Sequence, residues 1–296
     1  MPNLFPALLT TVCYSLSAIL AARSSKYLGA PFANILRMSL GVLFLAAWTL
    51  TFGVTIPADA RMWLWLSGIV GIGIGDIALF GSLDRIGPRV TILLVQCLSA
   101  PVALIVEFLW LHTTINFEQL LCVAAILLGV GLALRPDQHL DLSRRQFAIG
   151  VLWGISAAIG QGCGAVISRQ AGKLAEFDGG SAAFQRLLAG LLCALLFYAI
   201  AGRMGMKSLK LQKPPNLKAG VPWALGNSLV GPVLGIGCFQ WALLSAPSGI
   251  VLAIIATSPL LSMVWLWRLE GQIPRKVAII GGCIAVAGVV MLQRFS

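Results

Sequence analysis

Residues 219–267 read AGVPWALGNSLVGPVLGIGCFQWALLSAPSGIVLAIIATSPLLSMVWLW, a stretch without Asp, Glu, Lys, Arg or His. About 20 apolar residues cross the hydrocarbon core of a bilayer, so this stretch is long enough for two crossings. Gly and Pro interrupt it repeatedly, for example at Gly231, Pro232 and Pro259. Unsatisfied backbone groups are costly in lipid, so such interruptions survive only where protein or a water-filled cavity covers them.

The first half of the chain carries a similar interrupted stretch. Residues 62–111 include a Gly-rich run over 68–75, the pair Gly87-Pro88, and Pro101. Interrupted spans at corresponding places in two halves of a chain indicate the central site of a transporter. We therefore expect the binding site where the two stretches meet.

The composition is that of a polytopic membrane protein. Hydrophobic residues make up 58% of the 296 residues and charged residues 10%, whereas soluble proteins carry about 25% charged residues. The net charge of +11 would suggest a nucleic acid partner in a soluble chain. Here the basic residues lie between the apolar segments, as membrane orientation alone requires, so we predict no nucleic acid binding.

The sequence also indicates no enzyme, no cofactor and no metal site. Its two histidines, His112 and His139, lie at or beyond the ends of apolar segments, and no phosphate-binding Gly-x-x-x-x-Gly-Lys motif occurs. The seven cysteines lie inside apolar segments without a CxxC pair, so we predict neither disulfides nor metal binding.

Ten membrane spans are predicted, and they divide into two repeats of five. The predicted spans are residues 4–22, 30–52, 62–82, 90–111, 118–134, 147–168, 181–202, 219–244, 248–267 and 276–293. Short motifs recur in the same order in both halves: Arg-xxx-Gly at Arg37 and Arg186, and a fourth-span proline at Pro101 and Pro259. Such matched order is the signature of an internal repeat.

Because five is odd, the two repeats should be inverted relative to each other. We assign residues 1–134 to the first repeat, 135–146 to a polar connector and 147–296 to the second repeat. Lys and Arg concentrate in the loops between spans 1 and 2, 3 and 4, 5 and 6, 7 and 8, and 9 and 10. Basic short loops stay in the cytoplasm, so we expect both termini outside.

These motifs together resemble the drug/metabolite transporter superfamily, and within it the EamA family of bacterial exporters. The resemblance rests on the two five-span halves, the Arg-xxx-Gly motif, Trp153-Gly154, and the Pro-centred fourth span that leads into Arg268-Leu-Glu270-Gly. It covers nearly the whole chain, although His112 stands in the first half where Glu270 stands in the second. The resemblance implies a bacterial inner-membrane transporter whose cavity is lined by spans 1, 3, 4, 6, 8 and 9.

The predicted function is the export of small metabolites by alternating access, with amino acids, including aromatic and bulky apolar ones, as the leading class. Efflux of cationic drugs or quaternary ammonium compounds is the first alternative, and lipid flipping is the second. The predicted partners are a small solute, the bilayer, and protons as the candidate coupling ion. We expect a monomer.

Asp76 is the strongest candidate site residue, because it lies mid-span, where a charge costs at least ~2.5 kcal/mol. We interpret it as a cavity residue that binds a substrate amine or carries a coupling proton; a purely structural carboxyl is the alternative. Phe80 lies one helical turn later and could form an aromatic wall. Glu107, late in the fourth span, is either a second coupling candidate or an interfacial carboxylate.

Uncharged polar and deep aromatic residues complete the predicted cavity. The candidates are Tyr14, Gln96, Trp153, Gln161, Asn227, Gln240 and Trp241. Hydrogen bonds between helices are the alternative role of the polar members.

The repeated arginines and prolines have simple structural interpretations as well as functional ones. We expect Arg37 and Arg186 to extend toward lipid headgroups, with binding of a substrate carboxylate by one of them as the alternative. Pro101 and Pro259 bend their helices, and they are candidate hinges of alternating access or sites of fixed curvature.

The predicted orientation can be tested at the basic loop 203–218. We expect Ser208→Cys to stay unlabelled when a membrane-impermeant maleimide is added outside intact cells, since Lys- and Arg-rich loops remain cytoplasmic. Labelling after cell lysis is the positive control. Labelling from outside intact cells would reverse the orientation.

Overall fold

The computed structural model describes residues 4–134, 143–203, 214–271 and 275–295. Its ten helices are α1 (Phe5–Leu28), α2 (Ala30–Thr51), α3 (Ala58–Pro88), α4 (Val90–Leu111), α5 (Phe117–Ala133), α6 (Arg144–Leu174), α7 (Gly179–Arg203), α8 (Leu217–Ser245), α9 (Ser248–Leu269) and α10 (Lys276–Phe295). Eight are long and apolar enough to cross a membrane, and α5 and α10 are shorter apolar helices. The predicted all-helical, polytopic fold is confirmed. The predicted connector 135–146 and the loop 203–218 lie largely outside the described residues.

Local backbone chemistry sets where several helices end. Gly29 lies between α1 and α2 with a φ of 79°, and Gly87, the penultimate residue of α3, breaks the helical conformation before α4 with a φ of 74°. Only glycine adopts such positive φ values without strain. Pro88 follows at the end of α3, two residues before α4 begins, where a missing N–H is harmless because the N–H groups at the start of a helix have no partner in the helix.

The turn before α7 is fixed by a carboxylate. Asp178 accepts hydrogen bonds from the backbone N–H of Ser181 (2.8 Å), the indole of Trp48 (3.0 Å) and the backbone N–H of Val54 (3.2 Å). Partial burial raises the pKa of Asp178, but these hydrogen bonds outweigh it and hold the pKa below its usual value. The carboxylate therefore links the loop after α2 to the start of α7.

The packing of the helices follows the predicted inverted repeat. Each helix of the first repeat corresponds to the helix five positions later in the second, and corresponding helices make corresponding contacts. For example, α1 packs on α8 as α6 packs on α3, and α1 packs on α9 as α6 packs on α4. Helices α2 and α7 pack on each other, as do α5 and α10. Since five crossings leave the chain on the opposite side, the two halves are inverted, as expected for an inverted-topology transporter.

The predicted interruptions of spans three and eight are π-helical segments rather than breaks. Gly68–Ile74 in α3 and Leu229–Gly235 in α8 form these segments at corresponding places in the two repeats. Pro232 lies inside the second segment and supplies no backbone N–H. Wider turns of this kind are frequent at functional sites, and they shift the direction of the side chains that follow.

Glycine pairs bring α3 and α6 into backbone contact. A Cβ on Gly164 would lie 2.8 Å from Cα of Gly71, and a Cβ on Gly160 would lie 3.0 Å from Cα of Gly75. Both pairs have the four-residue spacing typical of close helix packing in membranes. The Gly-rich run of the third span therefore serves helix packing, and it places the residues that follow Gly75 next to α6.

A buried ion pair joins the two repeats on the side of the α8–α9 loop. Arg169 Nε lies 2.6 Å from Glu107 Oε1, and Glu107 is 2% exposed. Glu107 also accepts a hydrogen bond from the backbone N–H of Ser248 at 2.7 Å, while Arg169 donates to the carbonyl of Leu243 at 2.9 Å. The pair thus holds the end of α8 and the start of α9 against the first repeat.

The two candidate hinge prolines have different settings. Pro101 lies inside α4, whereas α9 is interrupted at 256–257 and Pro259 opens its second segment. Residues before this interruption are fully buried, from Ile250 to Ala256. A hinge role for either proline remains a prediction.

The glycine contact predicts a position-dependent effect of adding one methyl group. We expect Gly164→Ala to lower stability by about 1–3 kcal/mol, because the new Cβ meets backbone that cannot move independently. Gly282→Ala is the matched control, since a Cβ there meets nothing within 4 Å, and a helical Gly→Ala change is neutral or stabilising. Thermal unfolding in detergent would measure both, and equal shifts would contradict the packing role.

The ion pair predicts a coupled loss of stability. We expect Glu107→Gln to cost about 3–5 kcal/mol, because it leaves the largely buried Arg169 without a counter-charge. Adding Arg169→Gln should cost less than the sum of the two single changes. Glu118→Gln, at an exposed carboxylate, is the control. Additive losses in thermal unfolding would show that the pair contributes no coupling.

Candidate functional site

A cavity of about 210 Å³ lies between the two repeats. Eight helices line it, including α2 and α7, which were not among the six that the resemblance implies. Its charged and polar lining consists of Tyr14, Ser17, Arg37, Asp76, Gln161 and Arg186. Both π-helical segments contribute to the wall, through Gly71 and Ile72 on α3 and through Gly231 and Pro232 on α8.

Asp76 follows the first π-helical segment and faces the cavity. Its carboxylate makes no hydrogen bond and no ion pair within 4.0 Å to any residue that the structure describes. A smaller pocket on its other side is lined by Asn34, Phe80 and Tyr198, among others. The carboxylate therefore lies between aromatic side chains and the main cavity, free to bind a ligand.

Arg186 is the most deeply placed cation of the cavity, with 4% of its surface exposed. Its Nη1 donates to Gln240 Oε1 at 3.2 Å, and its guanidinium lies 5.0 Å from the ring centroid of Phe239. Its Nε is buried without an acceptor among the described residues. Gly71 leaves room for this group, since a Cβ there would lie 2.8 Å from Nη2 of Arg186.

A chain of buried hydrogen bonds holds Arg186 in place. Gln240 Nε2 donates to Ser168 Oγ at 3.2 Å, and the hydroxyls of Ser168 and Ser67 are 2.8 Å apart. Ser67 in turn donates to the carbonyl of Gly164 at 2.6 Å. The chain connects α8, α6 and α3, so the position of one cavity cation depends on three helices.

Arg37 forms the second cationic part of the wall and is half-buried. Its Nε donates to Asn34 Oδ1 at 2.9 Å, one helical turn away. Its backbone carbonyl accepts a hydrogen bond from Ser228 on α8 at 3.0 Å. Arg37 and Arg186 thus both differ from the expectation of headgroup contacts, because buried polar partners turn them toward the cavity.

The other predicted site residues have varied positions. Tyr14 and Gln161 line the cavity together with Asp76. Asn227 and Gln240 lie one layer behind it, where they bond Ser17 (2.7 Å) and Arg186 respectively.

Three further candidates lie away from the main cavity. Gln96 has a buried side-chain oxygen without a partner in the described part of the chain. Trp153 packs over Gly81, and Trp241 is 43% exposed beside Phe5. Trp241 therefore differs from its expected deep position, because its face of α8 points outward.

The two arginines are the residues that sequence reasoning placed elsewhere. Each occupies the same position of the repeated Arg-xxx-Gly motif, one in α2 and one in α7. This shared position is the sequence signal that could have placed both arginines in the cavity, because the corresponding helices of two inverted repeats meet at the centre of the protein. Glu107, by contrast, lies in the inter-repeat ion pair and not in the cavity wall.

In the described ranges, no three His, Cys, Asp or Glu side chains are placed to hold a metal ion. The cavity lining contains two guanidinium groups, one carboxylate, one phenol, one aliphatic hydroxyl and one amide. Groups of this kind can bind a charged solute reversibly.

Comparisons with known proteins identify the family. The model of the EamA-like transporter family matches residues 2–135 and 148–294, one copy in each repeat. One solved protein structure has the same fold, with a TM-score of 0.75 at 17% identity over 98% of this chain and 96% of that chain. No curated protein matches the sequence. The chain belongs to the EamA-like transporter family of the drug/metabolite transporter superfamily.

Proposed function

We propose that this chain is a secondary transporter that exports small metabolites, amino acids foremost, by alternating access between its two inverted repeats. The observation that carries the proposal is the cavity between the repeats, with Asp76, Arg37 and Arg186 on its walls. Charged groups at this depth are expensive, and in membrane proteins they mark solute or proton pathways. Membership of a transporter family supports the same conclusion.

The size of the cavity supports a small solute. Its volume of about 210 Å³ is below the roughly 300–1,000 Å³ of pockets that hold drug-sized ligands. Its charge also supports an amino acid over a cationic drug, because two guanidinium groups face one carboxylate. Asp76 remains the candidate proton carrier of the transport cycle.

Movement between the repeats is the second part of the proposal. The π-helical segments of α3 and α8 and the interruption of α9 lie next to the cavity, and such places absorb backbone changes more easily than continuous helix. The charge bias supports an orientation with both termini outside a bacterial inner membrane. Lipid flipping remains an alternative because a large apolar groove, lined by α9 and α10, faces outward.

Counterflow in proteoliposomes tests the function. We expect radiolabelled amino acids to enter vesicles preloaded with the same unlabelled amino acid, and tetraethylammonium to show no counterflow. A fluorescent-lipid scrambling assay on the same vesicles should give the rate of protein-free liposomes. Counterflow of tetraethylammonium alone would support drug efflux, and scrambling without counterflow would support a flippase.

A further inference from the structure

We infer that the cavity binds the carboxylate of its solute through Arg186 and Arg37 and the ammonium group through Asp76, so that it takes compact zwitterions and rejects amines that lack a carboxylate. The inference rests on the proposed transport function and names the chemistry that selects the solute. It follows from three observations. In the described part of the chain, the arginine side chains have donors without acceptors, the oppositely charged groups form no direct ion pair, and the rest of the cavity wall is largely apolar.

The first observation is that both arginines line the cavity and carry donors without an acceptor among the described residues. Arg186 is 4% exposed, yet its Nε has no acceptor among the residues described. The single described hydrogen bond from the Arg37 side chain uses Nε, to Asn34. A guanidinium is a planar fork whose geometry matches a carboxylate, which it binds through two parallel hydrogen bonds. A solute carboxylate would satisfy these donors.

The second observation is that opposite charges share one small cavity without forming a direct ion pair. Asp76, Arg37 and Arg186 all line it, and within the described ranges none of them forms an ion pair within 4.0 Å of another. Unpaired charges away from bulk water are unfavourable, so the arrangement fits a ligand that supplies both signs. A zwitterion does so, whereas a cation would leave both arginines without a counter-charge.

The third observation concerns the rest of the wall. It is largely apolar and includes the side chains of Met38, Ile72, Leu79, Phe239, Leu252 and Ile255. Such a wall suits a hydrocarbon side chain and offers few hydrogen-bonding partners to a sugar. The charged groups would then select the carboxylate and the amine, while the apolar groups would accept the side chain.

Three probes that share one hydrocarbon skeleton separate these contributions. L-leucine carries both charged groups, 3-methylbutylamine has lost the carboxylate, and 4-methylpentanoate has lost the amine. Ligand-induced thermal stabilisation of the purified protein in detergent reports binding, since a ligand that binds only the folded state raises Tm. Counterflow in proteoliposomes with the same probes reports transport.

For the unaltered protein, we expect L-leucine to stabilise most, 4-methylpentanoate less, and 3-methylbutylamine not at all. Arg186→Gln should weaken L-leucine binding roughly tenfold or more, because a buried charge partner is lost. Asp76→Asn should weaken L-leucine binding to a similar extent and leave 4-methylpentanoate binding unchanged or tighter. Arg144→Gln removes an exposed charge at the start of α6 and should change none of these values.

The outcomes separate the inference from the proposed function. Binding or counterflow of 3-methylbutylamine equal to that of L-leucine would overturn the carboxylate requirement and leave a transporter. If binding depends on the carboxylate but no counterflow occurs, the inferred binding site stands and the proposed transport function is wrong. Absence of binding by all three probes would overturn the inference. If the Arg186→Gln variant does not fold, the Arg37→Gln variant and the ligand preference of the unaltered protein still test the carboxylate requirement.

Discussion

The structure depends on how the protein stabilises charged side chains at membrane depth. An Arg or Asp at the centre of a lone spanning helix costs about 2.5–3.5 kcal/mol. Here Arg186 is held by Gln240 and by the ring of Phe239, and Glu107 and Arg169 neutralise each other. The Glu107–Arg169 pair holds the two repeats together, whereas among the described residues the charged groups around the cavity form no direct ion pair with one another. That difference separates the structural charges from those that we propose bind a solute.

Close backbone packing makes this arrangement possible. The glycine pairs between α3 and α6 bring two helices together without side chains between them. The π-helical segment that carries Gly71 widens α3 where it meets the cavity, and Asp76 follows one turn later. The same construction recurs in α8, where Pro232 reaches the cavity wall. Packing and site placement are therefore consequences of the same glycine-rich segments.

The fold could be predicted from the sequence because apolar length and loop charge are local properties. The position of Asp76 on the cavity could be expected for a similar reason, since a carboxylate mid-span has few other stable places. The position of Arg186 could not, because it depends on Gln240 and Ser168, which lie in two other helices. A Gly-rich run can equally indicate a break or a wider helical turn, and only the packing around it decides between them.

Adjacent residues of α6 hold both groups of charges. Ser168 accepts the hydrogen bond of Gln240, which holds Arg186, and Arg169 anchors the end of α8 and pairs with Glu107. A rigid displacement or rotation of α6 would therefore disturb two sets of contacts at once: the hydrogen bonds that hold Arg186 and the ion pair between the repeats. Through these two adjacent residues, one helix couples the position of the cavity cation to the contact between the repeats.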